Sequence, residues 1–201
     1  FGMTINNVVL SEVFEAISRQ IEAREPGYIL TPNVDHVCEF TDNAEFREAY
    51  HNGFLVLADG MPILWSSKLL GRPLKEKISG SDLVYSLSEF AAQKGYSIFF
   101  FGADEGVAQR ASEILQEKYP DLKVAGAYSP PMGFDKDPEL LAESIRIVKE
   151  AEPDICYVAL GAPKQDLWSY RNYKKTGVPV HIGVGISLNF VTGDVKRAPR
   201  W

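Results

Sequence analysis

The chain has 201 residues, 45% hydrophobic and 24% charged, which suits one globular domain over 1–201 with a sizeable core. A formal net charge of −6 leaves no basic surplus to displace phosphate counterions, so no nucleic-acid partner is expected. No run of about 18 apolar residues and no signal peptide is visible, so no membrane-spanning helix is expected.

Along the chain, short β-rich runs alternate with longer amphipathic segments. Helical patterns fall at 11–23, 44–52, 81–94, 106–119, 138–150 and 164–173, and strand candidates at 28–30, 54–58, 97–101, 123–127, 155–160 and 178–182. Several of the strand candidates are continuous apolar runs, as expected for strands covered on both faces. Such alternation predicts an α/β fold, a mostly parallel sheet of about six strands with helices on both faces, Rossmann-like. Cys38 and Cys156 lack metal-ligand spacing and are expected to be small buried hydrophobes in a reducing compartment. The opening Phe1-Gly2-Met3 and the basic, aromatic ending at Trp201 read as cut ends.

Open α/β sheets bind ligands beyond the carboxyl ends of their strands, so the strand tails carry the functional argument. They read Thr31-Pro32-Asn33, Asp59-Gly60-Met61-Pro62, Gly102-Ala103-Asp104, Tyr128 to Gly133, Gly161-Ala162-Pro163-Lys164-Gln165 and Gly183-Val184-Gly185. A helix should start after each, which would aim backbone N–H groups into one crevice suited to a pyrophosphate. Gly183-Val184-Gly185 lacks the third glycine and the later acidic residue of a dinucleotide fingerprint, and no P-loop or nucleophile elbow is present. Asp135-Lys136-Asp137 has the form of a metal-binding Asp-x-Asp. Followed by Pro138 and Glu139, however, Asp137 reads as an N-cap with an N1 proline. His36 reads as a structural or hydrogen-bonding residue, since neither His51 nor His181 stands at ligand spacing from it.

Asp59 ends the apolar run Phe54-Leu55-Val56-Leu57-Ala58. A carboxylate there is placed to act as a general base, or to cap a helix from Met61, and one residue can serve both roles. Thr31 and Asn33 suit turn and capping roles when each is taken alone. Lys164 and Gln165, on the first turn of a helix, either contact a phosphate and a sugar hydroxyl or are simply solvated, as exposed helix-start residues usually are.

The ordered series of tails, with Ser79-Gly80-Ser81-Asp82-Leu83 and Gly193-Asp194-Val195-Lys196-Arg197-Ala198-Pro199, resembles glycosyltransferase family 26 over essentially the whole chain. That family contains the N-acetylmannosaminyltransferases of wall teichoic acid synthesis and relatives in enterobacterial common antigen and capsule synthesis. The resemblance implies transfer of N-acetylmannosamine from a UDP-sugar donor to a polyprenyl-diphosphate-linked GlcNAc acceptor, forming a β-1,4 bond with inversion. It implies Asp59 as base, with Thr31 and Asn33 orienting the base or the sugar, and Gly60 beside them. Gly102, Ala103, Gly161, Lys164 and Gly185 would supply backbone donors or charge near UDP. Gln165 would hydrogen-bond the donor sugar or a phosphate.

Lys77 stands where the family is expected to prefer arginine, which keeps the charge but loses a bidentate fork. No metal and no cofactor are implied. Family members continue with a basic amphipathic extension, so membrane contact on the inner face of the cell membrane is expected through a segment absent here. The chain without it is expected to turn over poorly, and its uncovered face would promote self-association. The rival readings are a nucleotide-sugar epimerase or dehydrogenase, with Tyr170 and Lys174 as its Tyr-x-x-x-Lys pair on a solvated helix, and a non-catalytic nucleotide-binding module.

Overall fold

A computed structural model describes residues 2–196. The C-terminal stretch Arg197-Ala198-Pro199, part of the family resemblance, lies outside the described residues together with Phe1, Arg200 and Trp201.

Among the described residues six strands form one all-parallel sheet: Gly27–Leu30 (β1), Leu55–Val56 (β2), Ser97–Gly102 (β3), Lys123–Tyr128 (β4), Ile155–Ala159 (β5) and Val180–Gly183 (β6). Their spatial order is β2-β1-β6-β5-β3-β4. Among the described residues the helices are Leu10–Ala23 (α1), Val34–Asp42 (α2), Ala44–Asn52 (α3), Met61–Leu69 (α4), Gly80–Lys94 (α5), Val107–Lys118 (α6), Pro138–Glu150 (α7), Lys164–Thr176 (α8) and Ser187–Thr192 (α9). The predicted fold class is therefore the observed one. The strand expected over 54–58 is laddered for only two residues, although Leu57 still donates its N–H to Leu30 O at 2.8 Å.

Period-two alternation along the strands divides the core between the two faces of the sheet. Ile29, Ile98, Phe100, Ile155, Tyr157 and Ile182 meet the buried sides of α1, α5, α6 and α9. Phe99, Phe101, Cys156 and Val158 meet Val148 of α7 and Trp168 of α8, with the Trp168 ring stacked on Phe101 at 4.3 Å. Tyr28, Leu30 and Val56 complete that second face against Phe40 of α2 and Phe46 and Tyr50 of α3.

Two expectations are corrected. Cys38 is exposed, because it falls on the outer side of α2, whereas Cys156 is buried. Helix α8 is not solvated: Trp168, Ser169, Asn172 and Thr176 are buried, and Tyr170 packs edge-on against Tyr28 at 6.3 Å. The polar composition of α8 conceals a buried side, and Tyr170 belongs to the core contacts instead of standing with Lys174 as a catalytic pair.

Candidate active site

All six strand tails lead into helices: α2 after β1, α4 after β2, α6 after β3, α7 after β4, α8 after β5 and α9 after β6. Right-handed parallel connections put those helix starts at one edge of the sheet. The tails line two neighbouring cavities instead of the one crevice expected.

The smaller cavity, about 260 Å³, gathers Thr31 and Asn33 from β1, Asp59 from β2, Gly161, Ala162 and Gln165 from β5, and Gly183 to Ser187 from β6. Gly80 and Ser81, at the start of α5, and His36 and Phe190 close its walls. Of the predicted site residues, Thr31, Asn33, Asp59, Gly161, Gln165 and Gly185 are thus brought together. Gly60 adjoins Asp59 at φ 99°, a backbone conformation that favours glycine. Gly60 itself takes the N-cap position of α4, with Asp59 immediately before it. The Asp59 N–H is tied to Pro32 O at 3.0 Å, which locks the tail of β2 onto the tail of β1.

Asn33 is the N-cap of α2, and its Oδ1 accepts from the N–H groups of Asp35 at 3.0 Å and His36 at 3.3 Å. The same oxygen lies 2.6 Å from His36 Nδ1. Gln165, 5% exposed, accepts the Gly185 N–H at 2.8 Å through Oε1, bridging the tails of β5 and β6. A Cβ at Gly183 would sit 2.8 Å from Gln165 Nε2, so a larger residue there would displace the Gln165 amide. Thr31 Oγ1 points back at Gly183 O, 3.4 Å away.

The larger cavity, about 680 Å³, lies over the tails of β3, β4 and β5 and is lined by Ala103, Asp104, Ser129 to Phe134, Leu160 and Lys164. Gly102 supports it from below: Ser129 Oγ donates to its carbonyl at 3.0 Å. At φ 101°, with a would-be Cβ 2.6 Å from Ala159 O, only glycine fits there. Lys164 Nζ pairs with Asp135 at 3.0 Å, and Asp135 is held below the usual carboxylate range first by that hydrogen bond. Asp137 accepts from the N–H groups of Glu139 at 2.9 Å and Leu140 at 3.1 Å, the N-cap its sequence context predicted.

Lys77 is placed elsewhere. It lines a third cavity with Glu76, Tyr85 and Lys118, and its Nζ is 3.8 Å from Asp82 Oδ2. Sequence reasoning did not single out Gly80, Ser81 or the His36 ring for the site, although the Ser79-Gly80-Ser81 stretch was visible as part of the resemblance. Among the described residues, no group of three or more His, Cys, Asp or Glu side chains is arranged to hold a metal ion. No helix among them is long and apolar enough to cross a membrane.

Comparison with known proteins adds identity to this geometry. An N-acetylglucosaminyldiphosphoundecaprenol N-acetyl-beta-D-mannosaminyltransferase of Bacillus spizizenii is 30% identical over 195 residues, covering 97% of this chain and 74% of the relative. Proteins of the same name from Bacillus subtilis, at 28%, and Staphylococcus aureus, at 27%, cover 98% of this chain and 75% and 76% of their own lengths. Residues 1–201 match one family throughout, and the chain belongs to the Glycosyl transferase WecG/TagA/CpsF family.

Proposed function

We propose that this chain transfers N-acetylmannosamine from a UDP-sugar to GlcNAc on a polyprenyl diphosphate, with inversion at the anomeric carbon. The observation that carries this reading is the convergence of Asp59, Thr31, Asn33 and Gln165 on one cavity at the sheet's carboxyl edge, ringed by helix starts. The relatives' printed names supply the sugar and the lipid acceptor.

In this mechanism Asp59 takes the proton from the acceptor hydroxyl as its oxygen attacks the anomeric carbon. UDP leaves from the opposite face with the bonding electron pair. The logic is that of an inverting glycosidase with a sugar hydroxyl in place of water. Charge growing on the leaving diphosphate meets backbone N–H groups at the starts of α5 and α8, where partial positive charge accumulates, whereas the Gly185 N–H is already bound to Gln165 Oε1. Gln165 has committed Oε1 to Gly185, so its amide nitrogen is the edge it offers to a sugar hydroxyl or phosphate. Thr31 and Asn33 hold the sugar against the base.

A lipid-linked acceptor requires that the cavity open near a bilayer. Helix α4 begins two residues after Asp59, and it and its C-cap expose Met61, Trp65, Leu69 and Leu70, the last two 89% and 74% exposed. Lys68 and Arg72 are exposed beside them. An apolar face carrying an indole and flanked by cations suits the interface of an anionic membrane. We place the protein peripherally on such a surface, with any segment beyond Trp201 as a second contact.

The test is acceptor-dependent UDP release from UDP-ManNAc onto a short-chain lipid-diphosphate GlcNAc, for this chain and for one extended beyond Trp201. Release that survives EDTA and collapses in Asp59→Asn supports a metal-independent inverting transfer. Loss of wild-type release on adding EDTA, restored by a divalent cation, would overturn the metal-independent step.

A further inference from the structure

Behind the cavity wall lies a cluster that the transfer chemistry leaves unused. Asp166, on the first turn of α8, is 1% exposed, and His36, on the first turn of α2, is 6% exposed. His36 Nε2 and Asp166 Oδ2 face each other at 3.7 Å, and both atoms are buried with no other hydrogen-bond partner among the described residues.

Two contacts at Nδ1 compete to set the ring's tautomer: the Asn33 N–H approaches it at 3.4 Å, whereas Asn33 Oδ1 lies at 2.6 Å, and the much shorter contact decides. Asn33 Oδ1 accepts two backbone N–H groups, so that atom is the amide oxygen and not the nitrogen. An oxygen 2.6 Å from His36 Nδ1 requires a proton on Nδ1. The neutral ring then turns a bare Nε2 toward a carboxylate. Two acceptors facing each other in a dry wall are unfavourable, and one proton between them removes the conflict.

We propose that His36 and Asp166 share one proton. Through Nδ1–H the pair holds Asn33 with its amide nitrogen edge turned to the sugar-nucleotide cavity, which makes Asp166 a positioning residue. The proposal rests on the donor reading above only for the ligand that Asn33 meets.

Of the other ionisable groups facing the pair, Asp35 on α2 and Asp59 across the cavity favour retention of the proton, whereas the Tyr50 hydroxyl on α3, beside the Asp166 carboxyl, favours the charged carboxylate. The Arg171–Glu45 ion pair, joining α8 to α3, is half-exposed and internally neutralised. Burial raises Asp166 to about 7 and lowers His36, so the proton resides mainly on the carboxyl. Above that pH the pair becomes anionic behind a site meant for a diphosphate.

The experiment is a pH titration of the His36 ring nitrogens by 15N NMR on the unliganded chain, with His36→Gln used to assign the signals. The expected result is a ring protonated on Nδ1 throughout, with an inflection near pH 7 that vanishes in Asp166→Asn. UDP affinity is then measured over the same range. It should fall about fivefold or more from pH 6 to pH 8 in wild type and stay flat in Asp166→Asn, whose amide donates to Nε2 at every pH. A ring protonated only on Nε2 at neutral pH, or an inflection unchanged in Asp166→Asn, overturns the proposal. The wild-type titration needs no variant, so a misfolded substitution cannot shield it. Absence of UDP binding at any pH with the expected ring spectrum would sink the donor reading while supporting the pair.

Discussion

Asp59 reaches the cavity on a tail that β1 holds rather than on a long strand of its own, since β2 is paired over only Leu55–Val56. The Pro32 carbonyl fixes its backbone, so replacing the carboxylate by an amide of the same shape should change chemistry and little else. Asp59→Asn is expected to lower turnover by about 10²–10⁴-fold while leaving UDP affinity within about twofold. Steady-state kinetics beside UDP titration calorimetry separate the two, and a variant that keeps more than about a tenth of wild-type turnover would remove Asp59 from its role as base.

Asp166 makes a second prediction, with the sign set by linkage. Burial raises its folded-state pKa to about 7, whereas the unfolded chain releases the same proton near ~4. Between those values the folded state binds more protons, so this group's contribution to stability is full at low pH and is lost as pH rises toward 7. His181, kept neutral by burial with a pKa lowered to about 4, pushes the opposite way below ~6.5. The wild-type profile therefore mixes both effects, and the difference from Asp166→Asn isolates the first. Urea unfolding at several pH values should show the variant gaining on wild type from pH 5 to pH 8, by up to a few kcal/mol in order of magnitude. A pH-independent difference would mean that the carboxyl is not protonated in the fold.

At this scale the sequence revealed Thr31, Asn33, Asp59, Gln165 and Gly185 because strand-end tails announce themselves by Gly, Pro and polar residues. It could not reveal the His36–Asp166 pair, which joins two helices remote in sequence, nor the direction in which Lys77 points.

At the scale of elements, α7 falls at its predicted bounds because Asp137 and Pro138 mark its start. Helices α2, α4 and α9 are announced only by the strand tails before them and show no helical pattern of their own. The last has six residues, too few for a periodic signal, and α2 buries only His36 and Phe40. Helix α4 buries Ile63 alone and carries apolar residues on its outer side, so its pattern does not separate an inner face from an outer one. That failure of pattern is itself informative, because the residues that blur it are the exposed Trp65, Leu69 and Leu70. If they serve a membrane and not the core, changing them to serine should alter stability by no more than about 0.5 kcal/mol each. Sedimentation with anionic vesicles should fall several-fold for the triple variant, whereas a stability loss with unchanged vesicle binding would return α4 to a purely structural role.

Across the whole molecule, the tail of β5 borders both cavities: Gly161, Ala162 and Gln165 line the smaller, and Leu160 and Lys164 the larger. The smaller one, about 260 Å³, lies below the roughly 300–1,000 Å³ usual for ligand clefts and suits a sugar ring with a phosphate, not a whole nucleotide sugar. A UDP-sugar lying along the sheet edge would place its sugar beside Asp59 and its nucleoside over β3 and β4, with the diphosphate crossing the β5 tail. Lys164, paired with Asp135 in the unliganded chain, stands at that crossing and could exchange one anion for another. Lys164→Ala is therefore expected to weaken UDP binding by about tenfold, the loss of one charge-assisted contact, while leaving uridine affinity unchanged. Calorimetry with UDP, UMP and uridine reads this directly. Equal weakening of all three would place Lys164 against the nucleoside instead, and no weakening of any would confine the donor to the Asp59 cavity.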